Sequence, residues 1–127
     1  MILAGSAMCL WQKNLILMIR ERYAEYYHEI KKCRRKTSRT IELYEQEEIN
    51  MFALIDVAGE CFKPLESIKW KLYIYTVLML FTGKRGIGLL KETSDETRKL
   101  RDNALHMAKL IDDYIEKIES EQEVINE

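Results

Sequence analysis

Hydrophobic positions in the first quarter of the chain recur at steps of three and four residues, the spacing that lines one face of an α-helix. Between about Met8 and Cys33 this face is formed by Trp11, Leu15, Met18, Arg22, Tyr26, Ile30 and Cys33. No glycine or proline interrupts this stretch. The pattern predicts a first helix over about residues 9–33.

A basic segment, residues 31–40, follows and holds six positive charges and no acid. Cations favour the C-terminal end of a helix, and Ser and Thr favour the N-cap of the next one. We therefore expect a basic connector here. A second helix is predicted over about residues 41–58, with glutamates near its start and Gly59 as its C-cap.

The most hydrophobic stretch of the chain is residues 70–81. Pro64 suits the first turn of a third helix over about residues 65–82. Charged residues bound the stretch well short of the ~20 apolar residues that a membrane-spanning helix needs. We predict a buried central helix and no membrane span. A strand is the alternative, because residues 73–77 are all aromatic or β-branched, the types that favour strands.

Three glycines (Gly83, Gly86 and Gly88) predict a loop after this stretch. Thr93 and Glu96 have the spacing of a capping box, which would open a fourth helix over about residues 94–122. Apolar residues in this helix alternate at steps of three and four, the period typical of a coiled coil or a four-helix bundle. The interface candidates on this seam are Leu100, Met107, Ile111, Tyr114 and Ile118.

These elements predict an all-α fold, a four-helix up-down bundle that forms a single domain over residues 1–127. The seven tyrosines add side chains that are enriched at protein interfaces. The leading hypothesis is a small intracellular interaction or adaptor module that self-associates through the seam or through the aromatic face of the first helix, and that also binds a protein partner.

Charge is distributed unevenly along the chain. Residues 1–40 hold nine basic and three acidic residues, whereas residues 41–127 have a net charge of −7 and end in an acidic tail, about residues 119–127. The simplest expectation is that the basic segment and the tail neutralise each other. The alternative is nucleic-acid binding, although the pI of about 6.2 is low for that class. The candidate anion-binding residues are Lys31, Lys32, Arg34, Arg35, Lys36 and Arg39.

One short motif suggests catalysis. Arg101 and His106 have the Arg-x4-His spacing, with Asp102 after the arginine, and these six residues resemble the signature of HEPN-type ribonucleases. The resemblance implies metal-independent RNA cleavage, with the two residues polarising the phosphate and assisting attack by the 2′-hydroxyl. On an unbroken helix, however, side chains five residues apart point about 140° away from each other. The ribonuclease is therefore kept as an alternative, and the leading hypothesis is not an enzyme.

The sequence predicts no metal site and no cofactor. Glu25 and His28 form half of the carboxylate–histidine pattern of ferritin-like di-iron bundles, but the second half is missing. The glycine-rich residues 83–88 lack the Gly-Lys-Ser/Thr spacing of a phosphate-binding loop. Three widely spaced cysteines suit reduced thiols and predict a cytoplasmic protein. The apolar first ten residues lack the basic start of a signal peptide.

Overall fold

The computed structural model describes residues 2–80 and 82–126, with side chains described for residues 12–80, 82–83 and 86–125. Over these ranges the chain is all-α and forms three helices: α1 (Ile2–Glu45), α2 (Met51–Met79) and α3 (Lys84–Asn126). The all-α prediction is confirmed. The prediction of a four-helix bundle is wrong. The predicted boundary between the first and second helices lies inside α1, and the predicted boundary between the second and third helices lies inside α2. The predicted face residue Trp11 lies outside the described side chains.

Three clusters of buried side chains run along the molecule and fix the direction of each helix. From Ile19 to Ile41 along α1, the residue numbers of the contacting side chains decrease on α2 and increase on α3. Helix α2 is therefore antiparallel to α1, and α3 is parallel to it. The clusters contain Ile19, Tyr23 and Met79; Ile30, Cys33, Cys61 and Leu100; and Ile41, Met51, Leu54 and Met107.

The predicted basic connector at residues 31–40 is wrong, because these residues belong to α1. Thr37 and Thr40 do not cap a new helix: their hydroxyls donate to the carbonyls of the residues four positions earlier, at 2.8 and 2.7 Å. The physical reason is that the core-facing spacing continues through the basic segment. Thr37 and Thr40 are buried, and Ile41 follows them into the core.

The first turn lies at residues 46–50 instead. Glu47 has a φ of 61°, its N–H donates to the carbonyl of Tyr44, and the N–H of Glu48 donates to the carbonyl of Leu43. This pair of bonds is the Schellman motif that ends many helices. Asn50 then caps α2, because its Oδ1 accepts a hydrogen bond from the N–H of Ala53 at 2.9 Å.

Helix α2 runs through the predicted break between residues 59 and 64. Gly59 is not a C-cap and Pro64 is not in a first turn, so both predictions are wrong. Buried side chains continue along one face of α2 on both sides of Pro64, from Leu54 and Cys61 to Met79. This burial offsets the local costs, which are about 1 kcal/mol for glycine and 3 kcal/mol for proline in a helix interior.

The second turn is shorter than the predicted glycine loop. Gly83 has a φ of 86°, but Gly86 and Gly88 lie inside α3. The guanidinium of Arg20 donates to the carbonyl of Thr82 and ties this turn to α1. Because α3 begins at Lys84, the predicted helix start near residue 94 is wrong. Thr93 is an interior residue whose hydroxyl donates to the carbonyl of Leu89.

Two helix segments project past the packed part of the molecule. In α1, the described side chains before Ile19 are all exposed except the half-buried Ile16. In α3, every described side chain from Ile115 to Ile125 is exposed, whereas Tyr114 still packs on the core. Because α1 and α3 are parallel, these segments lie at opposite ends of the molecule.

Candidate interaction surface

A groove with a volume of about 900 Å³ lies between α2 and α3, the two helices that contact each other least. Its lining is mainly apolar and hydroxyl side chains, with three cations and no carboxylate. The groove is bounded by Tyr23 of α1, residues 69–76 of α2 and residues 90–101 of α3. A concave surface of this kind can accept an amphipathic helix.

Beside the groove, an apolar stripe runs along the outer face of α2. This α2 stripe consists of Trp70, Tyr73, Ile74 and Val77, which are spaced as one helix face and are 65%, 72%, 43% and 43% exposed. Trp70 and Tyr73 also line the groove. Contiguous exposed apolar residues are typical of interaction sites, and Trp and Tyr are the residues most often important in them. The prediction that residues 70–81 form a buried central helix is therefore wrong for this face.

The cations of the groove are Lys69, Arg98 and Arg101. Arg98 also pairs with Asp95, one turn earlier, at 3.3 Å, and both side chains of that pair are largely exposed. Exposed pairs of this kind hold their partners weakly. The groove thus combines an apolar lining with a positive potential, and it favours an acidic occupant.

The six candidate anion-binding residues of the basic segment point in different directions. Arg34 faces Glu96 of α3 and Lys36 pairs with Glu60 of α2 at 2.9 Å. Lys31 Nζ lies 5.6 Å from the centroid of the Tyr27 ring. The other three, Lys32, Arg35 and Arg39, are exposed.

The nucleic-acid alternative gains little from this arrangement. The electrostatic affinity for nucleic acid grows with the number of phosphates that the protein neutralises, and each contact makes the fall of log affinity with log salt steeper by about 0.9. Three exposed cations can therefore give only weak binding. Among the described side chains, the ion pairs of the basic segment are made by Glu60 and Glu96 rather than by the acidic tail. Within the described residues, ion pairs therefore neutralise two of the six cations of the basic segment, Arg34 and Lys36, and the partners are not residues of the acidic tail.

Arg34 and Glu96 form the most buried ion pair in the described part of the chain. Arg34 Nε and Nη2 donate to the two carboxylate oxygens at 2.6 and 3.0 Å, and the side chains are only 23% and 10% exposed. The hydrogen bonds from Arg34 hold the pKa of Glu96 below its ordinary value. They raise the pKa of Arg34 in turn.

Asn103 extends this pair into a polar cluster between α1 and α3. Its Nδ2 donates to Thr37 Oγ1 at 2.9 Å, to Ser38 Oγ at 2.8 Å and to the carbonyl of Arg34 at 3.2 Å. Hydrogen bonds of this kind between two helices favour one register of α1 against α3. The sequence contains a signal for this cluster, because Glu96 and Asn103 alternate with Leu100 and Met107 at steps of three and four and so lie on the same core-facing side of α3.

The predicted interface residues on α3 are mostly used within the chain. Leu100 and Met107 are buried, and Ile111 and Tyr114 pack against the cluster around Ile41. Only Ile118, which is 38% exposed, remains accessible. A second copy therefore cannot bind along the whole seam, because α1 and α2 already cover its first part.

The predicted aromatic face of the first helix is also occupied. Tyr23 is buried, and the ring of Tyr26 makes an edge contact with Tyr75 at 5.6 Å. Among the described side chains, the exposed large aromatic ones lie on α2 instead. The sequence does not single out Trp70 and Tyr73, because residues 70–81 contain only two polar residues, Lys71 and Thr76, and these do not mark a continuous polar face.

The two residues of the ribonuclease motif are not brought together. Arg101 lines the groove, whereas His106 Nε2 lies 3.1 Å from Glu45 Oε1 of α1. Helix α3 is continuous between them. They face different sides of one helix, as the helical geometry requires, so one chain alone does not present both to the same phosphate.

The described residues contain no group of three or more His, Cys, Asp or Glu that could hold a metal ion. Glu25 and His28 are exposed, and Glu25 lies 3.8 Å from Arg22. Cys33 and Cys61 border a cleft of about 170 Å³, where Cys33 Sγ donates to the carbonyl of Cys61. Burial, with the neighbouring Cys61, raises the pKa of Cys33 to about 11. This thiol therefore stays protonated at neutral pH and is a poor nucleophile.

Comparison with known proteins yields no relative. No protein family matches the chain, and no curated protein or solved structure is significantly similar to it. Within the described residues, no helix has the length and hydropathy needed to cross a membrane. The groove and the α2 stripe are therefore the features of the molecule that bear on its function.

Proposed function

We propose that this protein is a self-associating interaction module whose docking surface is the α2 stripe together with the groove between α2 and α3. The observation that carries the proposal is the exposure of Trp70 and Tyr73, two large aromatic side chains at the edge of a groove. Burying an exposed aromatic side chain of this size supplies a large part of the binding energy of an interface.

A second copy of the chain is the favoured partner because three helices leave one position of a four-helix arrangement empty. Four-helix bundles bury each helix against two neighbours, and here α2 and α3 are in poor contact across the groove. An added helix would cover the α2 stripe and fill the groove. Most soluble oligomers consist of identical chains, and a two-fold dimer would satisfy both copies at once.

Substitution of Trp70 by alanine should weaken self-association strongly. We expect the dissociation constant of the dimer to rise by at least about 30-fold, which corresponds to the loss of one aromatic hot spot. Sedimentation velocity over a range of protein concentrations measures this constant directly. Circular dichroism of the variant should be unchanged, because Trp70 is 65% exposed and supports no core cluster.

Phe52→Ala is the matched control. Phe52 is also on α2 and is 68% exposed, but it lies about 27 Å from Trp70 along the helix and does not line the groove. Its substitution should leave the dissociation constant nearly unchanged. A wild-type chain that stays monomeric at millimolar concentration would refute the proposal, as would equal weakening by both substitutions.

A further inference from the structure

We propose that the occupant of the groove is the projecting end of α3, residues 115–125, of a second copy. This inference rests on the proposed function, because it names the segment of the partner that fills the same docking surface. The segment is helical and every described side chain in it is exposed. It is therefore a free helix end that needs no rearrangement before it binds.

The projecting end has the amphipathic character of a groove-binding helix. The apolar period of α3 continues into it with Ile115 and Ile118, which are 46% and 38% exposed. Residues 112–125 also hold six acidic residues and only one lysine. An apolar face bordered by carboxylates matches a groove whose lining is apolar and whose charged groups are all cations.

The dimensions of the two surfaces agree. The groove extends along α3 from Leu90 to Arg101, a rise of about 16 Å, and the projecting end from Ile115 to Ile125 rises about 15 Å. The whole projecting end can therefore lie in the groove. Arg98 and Arg101 would then face the carboxylates of the partner, among them Glu116 and Glu119.

The projecting end cannot reach the groove of its own chain. The middle of the groove on α3, near Thr97, is about 35 Å along the helix from Ser120, and α3 is continuous between them. The other projecting segment, residues 12–18 of α1, contains Lys13 and no acid, so its charge has the same sign as that of the groove. Of these two projecting segments, as far as their side chains are described, the end of α3 from another molecule is the one that fits both the position and the charge of the groove.

Reversal of charge on either side of this contact tests the inference in the full-length chain. The groove variant carries Arg98→Glu and Arg101→Glu, and the tail variant carries Glu116→Lys and Glu119→Lys. Each alone should weaken dimerisation at least about 10-fold, because two attractive pairs become repulsive. An equimolar mixture should form heterodimers with an affinity within about threefold of the wild type, since both reciprocal contacts are then attractive again.

The control variant carries Arg35→Glu and Arg39→Glu, two exposed cations of α1 that lie outside the groove. It should dimerise as the wild type does. If Trp70→Ala disrupts the dimer but neither charge-reversed variant does, another segment fills the groove; this inference fails and the proposed function stands. If both reversals disrupt the dimer and the mixture does not restore it, the tail is not the occupant. A monomeric wild type removes both proposals.

Discussion

Replacement of Glu96 by glutamine should lower the free energy of unfolding by about 3 kcal/mol, the cost of leaving one member of a largely buried ion pair without its partner. Arg34 would keep its charge but lose the carboxylate that accepts both of its hydrogen bonds. Chemical denaturation at neutral pH measures the change. For a domain whose total stability is typically about 5–15 kcal/mol, this loss is large.

The same pair predicts a pH dependence with a definite sign. The pKa of Glu96 is lowered in the folded protein from its ordinary value of 4.5. Stability from the pair is therefore fully present above this value and is lost as the pH falls through the lowered pKa. The difference in unfolding free energy between the wild type and Glu96→Gln should be constant at neutral pH and should shrink on acidification below 4.5.

Two further variants separate the buried pair from general effects of charge. Glu60→Gln breaks the pair with Lys36, whose side chains are 48% and 66% exposed, and should have a much smaller effect. The double variant Arg34→Met with Glu96→Leu removes both buried charges and should regain most of the stability lost in Glu96→Gln. Equal losses in Glu60→Gln and Glu96→Gln would contradict the assignment of the pair to the interior.

Substitution of Gly86 by alanine should cost about 2 kcal/mol, although glycine is a poor helix former. A Cβ at this position would overlap Thr82 Oγ1 and lie 2.9 Å from the carbonyl oxygen of Met79. Neither atom can move freely, because Thr82 Oγ1 donates to that carbonyl and Arg20 holds the carbonyl of Thr82. Overpacking of this kind typically costs about 1–3 kcal/mol. Thermal and urea denaturation measure the loss.

Two other helical glycines, Gly59 and Gly88, provide matched controls. A Cβ at Gly59 or at Gly88 would have no neighbour within 4 Å. Alanine at either position should therefore stabilise the protein by roughly 0.5–1 kcal/mol, the intrinsic difference in helix propensity. If Gly86→Ala also stabilised the protein, α3 would not pass close to the turn at Thr82, and the start of α3 at Lys84 would be in doubt.

Local sequence signals correctly predicted an all-α chain, but they predicted four helices where the structure has three and misplaced the helix boundaries. The capping-box spacing of Thr93 and Glu96 is real, yet Glu96 is used by Arg34 on another helix. The contact joins residues 62 positions apart, so no local rule can detect it. Similarly, Gly59 and Pro64 are tolerated because the burial of Leu54 and Cys61 outweighs their local preference.

The first turn, at residues 46–50, is signalled by the sequence only on its C-terminal side. Asn50 stands directly before a run of apolar residues and is a good N-cap. The basic segment, however, gives a stronger apparent signal for a helix boundary earlier in the chain. Glu47, with its positive φ, gives no signal at all, since glycine is the usual residue there. A boundary made by a non-glycine residue is predictable only from the hydrogen bonds of the folded turn.

The proposed docking surface could be predicted from the sequence only in part. The period of α3 places Ile118 on the same helix face as Leu100 and Met107, but it does not indicate where α1 and α2 stop covering that face. That limit depends on the lengths of all three helices. The exposure of Trp70 and Tyr73 depends on the separation of α2 from α3, a property of tertiary packing that the predominantly hydrophobic residues 70–81 do not encode locally.

The fluorescence of Trp70 tests the central claim most directly. The chain contains two tryptophans, so Trp11→Phe leaves Trp70 as the only one. As the protein is concentrated, its emission should shift to shorter wavelength in step with the increase in mass seen by sedimentation, because the indole becomes buried against the second copy. An emission maximum that stays at the position of a water-exposed indole while the mass doubles would contradict the account.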